Sequence, residues 1–489
     1  MQMIFFSSAG WQGWEVQRKP LIRQGMPVLI DDDLRFEDER GARPVVVVNQ
    51  WLRELPVSGA PAPKSWEVYA RALKGWLEFL AECGVAVFAE RDRLRAALSG
   101  YAEHRLAGPI EARLAESTWN LHVGVVAQFY AWAVEEGHAT AVPFTYGAGR
   151  RYADGRLVEV RRNLAKVRAP KPHTRIKYLE REFVELFVLA LEGLLPDGSP
   201  DPAFRGLHPG RNAATARFVL SSGLRRQEFT YFLVHEVPPL PAASTVVPIR
   251  LPVPAGITKG RKPRTTWASY DALAAVHRYC ALERPLSVDG SGWRPDPQLG
   301  APLVVTKADR FGGVVNGRRV PWSKLTPRER LRLVNVDGGS LLLAVQRDGA
   351  PFVAWPTVFR RVSDRIRARF EPRFPHVKPH RLRHSFAMAT LEMLVTGYYQ
   401  QAARLVADTG DDAAMALYLT QADPLMVLRD LLGHSSVTTT ELYMSKLDAT
   451  RVFREAYEAA GRAADLTEDL FAEVDAEFDD EAELAEASA

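Results

Sequence analysis

Apolar and polar positions change rhythm several times along this chain of 489 residues. Up to about residue 60 the apolar runs are short, as in PVLI and PVVVV, and stretches such as DDDLRFEDERGARP separate them. Such runs predict extended segments and loops. From Lys64 the rhythm becomes helical: Tyr69, Leu73, Trp76, Leu77 and Leu80 line one face of a helix. Leu121, Val125, Phe129 and Trp132 form a second such face, with Ser117 and Thr118 as capping candidates before it. Periodicity then fades over residues 150–178, which hold ten Lys or Arg and two acids. Further on, IRLPVPAGITKGRKPRTTWAS predicts two strands around a Gly/Pro-containing turn. Pro379 opens a predicted helix through HRLRHSFAMATLEML, and Gly433 ends another, with Ser435 or Ser436 placed to cap the next.

Charge sharpens this picture. The formal net charge of +4 is unremarkable, but residues 463–489 hold 11 acids and no Lys or Arg. Residues 1–462 therefore carry 63 basic residues against 48 acidic ones (59 less the 11 of the tail), a net of +15. A basic body with an acidic tail fits a nucleic-acid partner. Leu466, Leu470, Val474 and Phe478 fall at near-helical spacing within the tail. Cys83 and Cys280 are the only cysteines, which excludes a disulfide framework and a zinc cluster. No run of some 18 apolar residues predicts a membrane span. The start MQMIFFSSAGWQGWEV lacks the pattern of a signal peptide, so a cytoplasmic protein is expected.

Candidate chemistry is confined to four segments: SSGLRRQE, ITKGRKPR, PHRLRHSFA and LLGHSSVTTTELY. Attack on a DNA phosphodiester adds negative charge to a group already charged, so fixed cations and hydrogen-bond donors are needed where that charge develops. Arginine suits the task because its planar fork donates parallel hydrogen bonds and keeps its charge. A tyrosine hydroxyl can serve as nucleophile, and a lysine or histidine can protonate the departing oxygen. Taken singly, each motif has a plain reading: a solvated arginine pair, a basic hairpin, or a tyrosine in a helix core.

In this order and in these contexts, Arg225, Lys259, His380, Arg383, His434 and Tyr443 resemble the tyrosine recombinase (phage integrase-type) family. The resemblance implies that Arg225 and Arg383 clamp the phosphate, Tyr443 attacks it, and His380 and His434 assist. It implies that Lys259 protonates the leaving oxygen from a β-hairpin, with Lys262 as the rival. Glu228 is expected to buttress Arg225 by an ion pair and His384 to pack behind the site, while Arg226 faces solvent or DNA. Arg161, Arg162, Lys166, Arg168 and Lys171 of the basic stretch, with Arg261, Lys262 and Arg264 of the hairpin, are the expected DNA contacts.

The family fold is mainly α with a small β-sheet or hairpin in the catalytic domain (α+β), two domains forming a C-shaped clamp on DNA. Here that implies an N-terminal extension (1–60), a helical, SAM-like core-binding domain (61–149), a basic linker (150–177), a catalytic domain (178–461) and an acidic C-terminal tail (462–489). Surface insertions are expected near 283–349 and 397–425. The implied activity is site-specific recombination of double-stranded DNA attachment sites through a 3′-phosphotyrosine and a Holliday junction. A homotetramer on DNA and an accessory directionality factor belong to that expectation; a cofactor or metal does not. Relaxation of DNA in the manner of a type IB topoisomerase, or DNA binding by a relative without catalysis, are the alternatives.

Overall fold

The computed structural model describes residues 1–8, 21–39, 41–60, 62–153, 156–168, 177–395, 397, 423–434, 440 and 443. The chain divides into two units, Met1–His173 and Thr174–Ala489. No described helix is long and apolar enough to cross a membrane.

In the first unit, β1 (Gln2–Phe5) pairs antiparallel with β2 (Pro27–Ile30), and the two-residue strands β3 (Glu37–Asp38) and β4 (Gly41–Ala42) pair with each other as a separate sheet. PVVVV, expected to be extended, is instead the start of helix α1 (Pro44–Glu54). Pro44 sits at the helix start, where its missing N–H costs nothing. Val45, Val48, Trp51 and Leu52 then share one buried stripe. Burial of that stripe outweighs the weak strand preference of valine. Helices α2 (Pro63–Glu82), α3 (Arg91–Leu106) and α4 (Glu116–Glu135) complete the core. Leu73, Trp76, Leu77 and Leu80 are buried in it as their spacing predicts, and Tyr69 packs against it. On α4, Val125 and Phe129 are buried and Trp132 packs against the core as expected, whereas Leu121 is exposed; Trp119, Val123, Val126 and Tyr130 widen the buried face. Ser117 and Thr118 lie inside the first turn of α4, which Ala115 precedes without a side-chain cap. Trp76 Nε1 donates to Tyr130 Oη at 3.2 Å, and that hydroxyl donates to Val87 O at 2.8 Å.

The stretch expected to be a basic linker is ordered over its first part. Strands β5 (Tyr146–Ala153) and β6 (Arg156–Asn163) form a hairpin with Tyr146 opposite Asn163. Behind it, Asn120 exchanges two hydrogen bonds of 2.9 Å with the Val167 backbone, and Trp119 Nε1 donates to Ala165 O at 3.0 Å. Backbone pairing orders this segment, and apolar rhythm does not report backbone pairing.

The second unit is also mainly helical, so the fold is α+β. Helices α5 (Arg181–Glu192), α6 (Pro209–Ser222) and the short α7 (Arg226–Thr230) lead to the expected hairpin, β7 (Ile249–Val253) and β8 (Arg264–Ala268), with Ile249 opposite Ala268. Helices α8 (Tyr270–Leu282) and α9 (Pro285–Val288) follow, then strands β9 (Leu303–Ala308), β10 (Gly312–Val315) and β11 (Arg318–Pro321), α10 (Pro327–Arg330) and β12 (Leu333–Asn335). The last four strands form one sheet in the order β11-β10-β9-β12, with β12 parallel to β9. Helices α11 (Trp355–Arg369), α12 (Pro379–Val395) and α13 (Pro424–Leu432) close the unit. Phe187, Phe218, Val219, Trp355, Phe359 and Ile366 form the centre of its main core.

Residues 283–349, expected as a surface insertion, are built into the domain. Leu233, from the segment after α7, is buried in one cluster with Val305, Val315, Trp322, Leu333 and Leu342. Arg330, fully buried, grips Glu236 through two bonds of 2.6 and 2.8 Å and donates to the carbonyls of Tyr231, Trp322 and Leu325. Arg284 likewise donates to the carbonyls of Ser340, Leu342 and Leu343. Nearly all of the second expected insertion, near 397–425, lies outside the described residues.

Candidate active site

Two helix C-termini form the floor of the site. Both α6 and α13 end in a left-handed glycine, Gly223 at φ 62° and Gly433 at φ 61°. A helix end leaves its last carbonyls without intrahelical partners and carries partial negative charge. Three arginines satisfy those carbonyls. Arg383, on the first turns of α12, donates to Gly223 O from one nitrogen and to Leu432 O from the other. Arg225, just before α7, donates to Gly433 O at 3.0 Å, and Arg264, at the start of β8, donates to Leu431 O at 2.7 Å. A side chain at residue 433 has no room: an added Cβ meets Arg264 Cδ at 2.6 Å.

Glu228 is the acid that faces these cations. As the third residue of α7 it reaches back to accept the Arg225 N–H at 2.7 Å, a helix-start arrangement that also fixes its carboxylate. It pairs with Arg225 at 3.1 Å and Arg264 at 2.6 Å, and its side chain is 0% exposed. Burial alone pushes its pKa up, but Arg264, the Arg225 N–H and the Arg225 charge outweigh burial and hold the carboxyl below its ordinary range. Arg264 was expected to touch DNA. Its side chain is 8% exposed and committed to Glu228 and Leu431, so it braces the site from within.

His380, Arg383 and His384 occupy successive positions on one side of α12, as three- and four-residue spacings require. Arg383 is 2% exposed. Burial, with the charges of Arg225 and Arg264, lowers its pKa to about 9. His384 Nδ1 lies 2.8 Å from Tyr443 Oη, and the His380 ring meets the His384 ring edge-on at 4.6 Å between centroids. His434, just past Gly433, lies nearly parallel to the Tyr443 ring at 6.5 Å, and its Nδ1 is 3.1 Å from Thr440 Oγ1. Burial first, and then neighbouring cations, lower the pKa of both His384 and His434 to about 4, so both rings are neutral at pH 7. His380 is lowered too, by burial, Arg383 and Arg225. Tyr443 is 3% exposed, and burial raises its pKa against the opposing pull of Arg383 and Arg225.

Arg225, His380, Arg383, His434 and Tyr443, distant in sequence, are thus gathered in one cluster, with Glu228 and His384 inside it. The candidate lysines stand apart. Lys259 and Lys262 are both exposed on the turn between β7 and β8, and no described contact joins either to the cluster. Gln227 of α7 tethers that turn by donating to Ile257 O at 3.0 Å. Arg226 and Arg261 are exposed. In the first unit, Arg161 lies over the Tyr146 ring at 4.3 Å, and Arg162, Lys166 and Arg168 are exposed. Lys171, Ser435, Ser436 and the acidic tail lie outside the described residues. Thr440, which is not among the expected site positions, is 0% exposed; its place six residues after His434 is the one signal of it in the sequence. Among the described residues no group of His, Cys, Asp and Glu could hold a metal ion.

With three guanidinium groups, one carboxylate and three imidazoles whose pKa values all lie below the ordinary 6.5, the cluster carries an excess of two positive charges at pH 7. Such an arrangement suits a phosphate group beside a tyrosine hydroxyl.

Residues 48–137 match the family model of the phage integrase N-terminal SAM-like domain, a span that begins inside α1 and ends just after α4. No curated protein matches the chain by sequence. Among solved structures, the chain is similar to XerA recombinase at 16% identity, with 85% of this chain and 98% of that one covered and a TM-score of 0.32. It is also similar to XerH site-specific recombinase in a post-cleavage complex with palindromic difH substrate, at 13% identity, 84% of each chain and a TM-score of 0.44. A third is a lambda integrase dimer bound to a COC′ core site, at 13% identity, 81% of this chain, 76% of that one and a TM-score of 0.40.

Proposed function

We propose that this chain belongs to the tyrosine recombinase family and is a site-specific DNA recombinase that cuts and rejoins double-stranded DNA through a covalent 3′-phosphotyrosine. The observation that carries the reading is the convergence of Arg225, Arg383, His434 and Tyr443 on one site with surplus positive charge. A phosphodiester brings one negative charge to that site, and the pentavalent state formed on attack carries two, which the surplus matches.

In this reading Arg225 and Arg383 hold the two non-bridging oxygens with the N–H groups not already given to Gly433, Gly223 and Leu432. Those carbonyls fix each fork before substrate arrives, so little reorganisation is needed in the transition state. His434 and His380 donate further hydrogen bonds. Tyr443 attacks phosphorus, the P–O5′ bond breaks, and Lys259, carried on the β7–β8 turn, gives the departing 5′ oxygen its proton. The phosphotyrosine bond keeps the phosphate activated, and a 5′-hydroxyl from a second duplex resolves it, passing through a Holliday junction. The proposed working assembly is a tetramer on two attachment sites, drawn from a mobile element and acting in the cytoplasm, with an accessory factor setting direction. The exposed cations Arg161, Arg162, Lys166, Arg168, Arg261 and Lys262 are the proposed backbone contacts.

The test is covalent trapping. Wild type and Tyr443→Phe are incubated with a nicked suicide duplex carrying the DNA that flanks this gene, and denaturing gels are run. An adduct confined to wild type and to that duplex supports the reading. Adducts on scrambled duplex point to a topoisomerase, and an adduct with Tyr443→Phe removes Tyr443 as nucleophile.

A further inference from the structure

The proton that Tyr443 must lose on attack needs an acceptor. The resemblance implies proton transfer or hydrogen bonding for His380 and only a packing place behind the site for His384. The structure sets His384 Nδ1 2.8 Å from Tyr443 Oη, within hydrogen-bond range of the reacting atom itself. His380 stands edge-on to the His384 ring at 4.6 Å between centroids. His434 stacks beside Tyr443 with its Nδ1 turned to Thr440, so that nitrogen is occupied elsewhere.

We propose that His384 is a catalytic residue, the group that takes the hydroxyl proton of Tyr443 as the tyrosine attacks phosphorus. This rests on the recombinase reading and assigns one step within it. The Oη–H bond breaks as the Oη–P bond forms, and the proton passes to His384 Nδ1. The P–O5′ bond breaks in the same displacement, and the 5′ oxygen takes its proton from a separate acid. On rejoining, the incoming 5′-hydroxyl gives its proton back to the group that served as acid and attacks phosphorus, Oη leaves, and the His384 imidazolium returns the proton to Oη. No oxidant or other reactant enters.

Three features support the assignment. A neutral ring is needed to accept, and burial first, then the adjoining His380 and the charges of Arg383 and Arg381 on its own helix, favour the neutral form. Tyr443 is 3% exposed, so bulk water has little access to its hydroxyl. The negative charge of the scissile phosphate, once bound, opposes the part of the pKa lowering that comes from Arg383 and Arg381, so His384 gains basicity in step with the attack that needs it.

A bridging phosphorothiolate at the 5′ position of the same suicide duplex separates this role from leaving-group protonation, because a thiolate departs without an acid. His384→Ala is expected to form adduct at least about 100-fold more slowly on both the ordinary and the sulfur-containing duplex. His384→Asn, whose amide oxygen can occupy the place of Nδ1 without accepting a proton, is expected to bind the duplex normally and remain slow. Lys259→Ala is expected to be slow on the ordinary duplex and restored on the phosphorothiolate. His384→Ala within tenfold of wild type, or its rescue by sulfur, overturns the proposal. Absence of adduct with wild type instead overturns the recombinase reading. An NMR measurement on the full chain labelled with 15N-histidine needs no DNA. His384 is expected to carry its proton on Nε2, with an Nδ1 signal that moves in Tyr443→Phe; a protonated Nδ1 in wild type refutes the assignment even if His384→Ala fails to fold.

Discussion

Glu228 balances cations that the fold has driven into its interior, and its removal should be felt as strain. In Glu228→Ala, Arg264 loses its 2.6 Å partner, Arg225 loses a 3.1 Å partner, and the Arg225 N–H loses the acceptor that starts α7. Arg264, with a side chain 8% exposed, cannot turn to water in compensation. Removing one partner of a buried ion pair costs about 3–5 kcal/mol. That corresponds to roughly two to four powers of ten in the local opening equilibrium, at about 1.4 kcal/mol per tenfold. Amide hydrogen exchange of peptides spanning 223–231, measured on the full chain, reads that equilibrium directly. Exchange there should quicken by two to four powers of ten, and added sulfate should slow it again by supplying negative charge to the same arginines. A change below about tenfold, at roughly 1.4 kcal/mol per tenfold, would show that Glu228 is not what holds the three cations together.

Two further outcomes follow from the same geometry. Arg330→Met strands the buried Glu236 carboxylate and should lower the thermal midpoint of the second unit, whereas Arg330→Met combined with Glu236→Met should recover most of the loss, read by calorimetry. Acid should destabilise the fold before it denatures the carboxylate network. His380, His384 and His434, faced by Arg225, Arg264, Arg381 and Arg383, all have folded-state pKa values below the ordinary 6.5, two of them at about 4. Between pH 6.5 and about 4 the unfolded chain therefore binds more protons, so stability is full above that window and falls as pH drops through it. Urea midpoints at pH 7.5 and 5 should show the drop, and His384→Gln with His434→Gln should flatten it.

The sequence made the cluster legible because arginine, histidine and tyrosine stand in short local contexts that survive without knowledge of the fold. Pro379 and Gly433 marked helix ends for the same reason: capping chemistry is local. What stayed hidden depended on partners far along the chain. Arg264 reads as one more cation in a basic hairpin until Glu228 and Leu431 are brought beside it. Residues 283–349 read as a Gly/Pro-rich surface addition until Arg330 is seen gripping Glu236, ninety-four residues earlier. The valines of α1 misled for a different reason, since their strand preference is a fraction of a kcal/mol and a buried amphipathic stripe overrides it. His384 was visible as a residue, but its role needed the position of Tyr443.

The welding of α6 to α13 also bears on how the chain is made. Arg225, Arg264 and Arg383 each close on a carbonyl between Leu431 and Gly433, and the tyrosine follows ten residues later. During synthesis, Arg225 and Arg264 leave the ribosome long before the carbonyls they hold, which lie 208 and 167 residues further on. Until residues 431–433 emerge, neither guanidinium has its carbonyl partner, and the two helix ends cannot be joined. The proposed cutting centre is therefore assembled after the basic hairpin that stands beside it in sequence, and a chain interrupted between the two carries the hairpin without the centre.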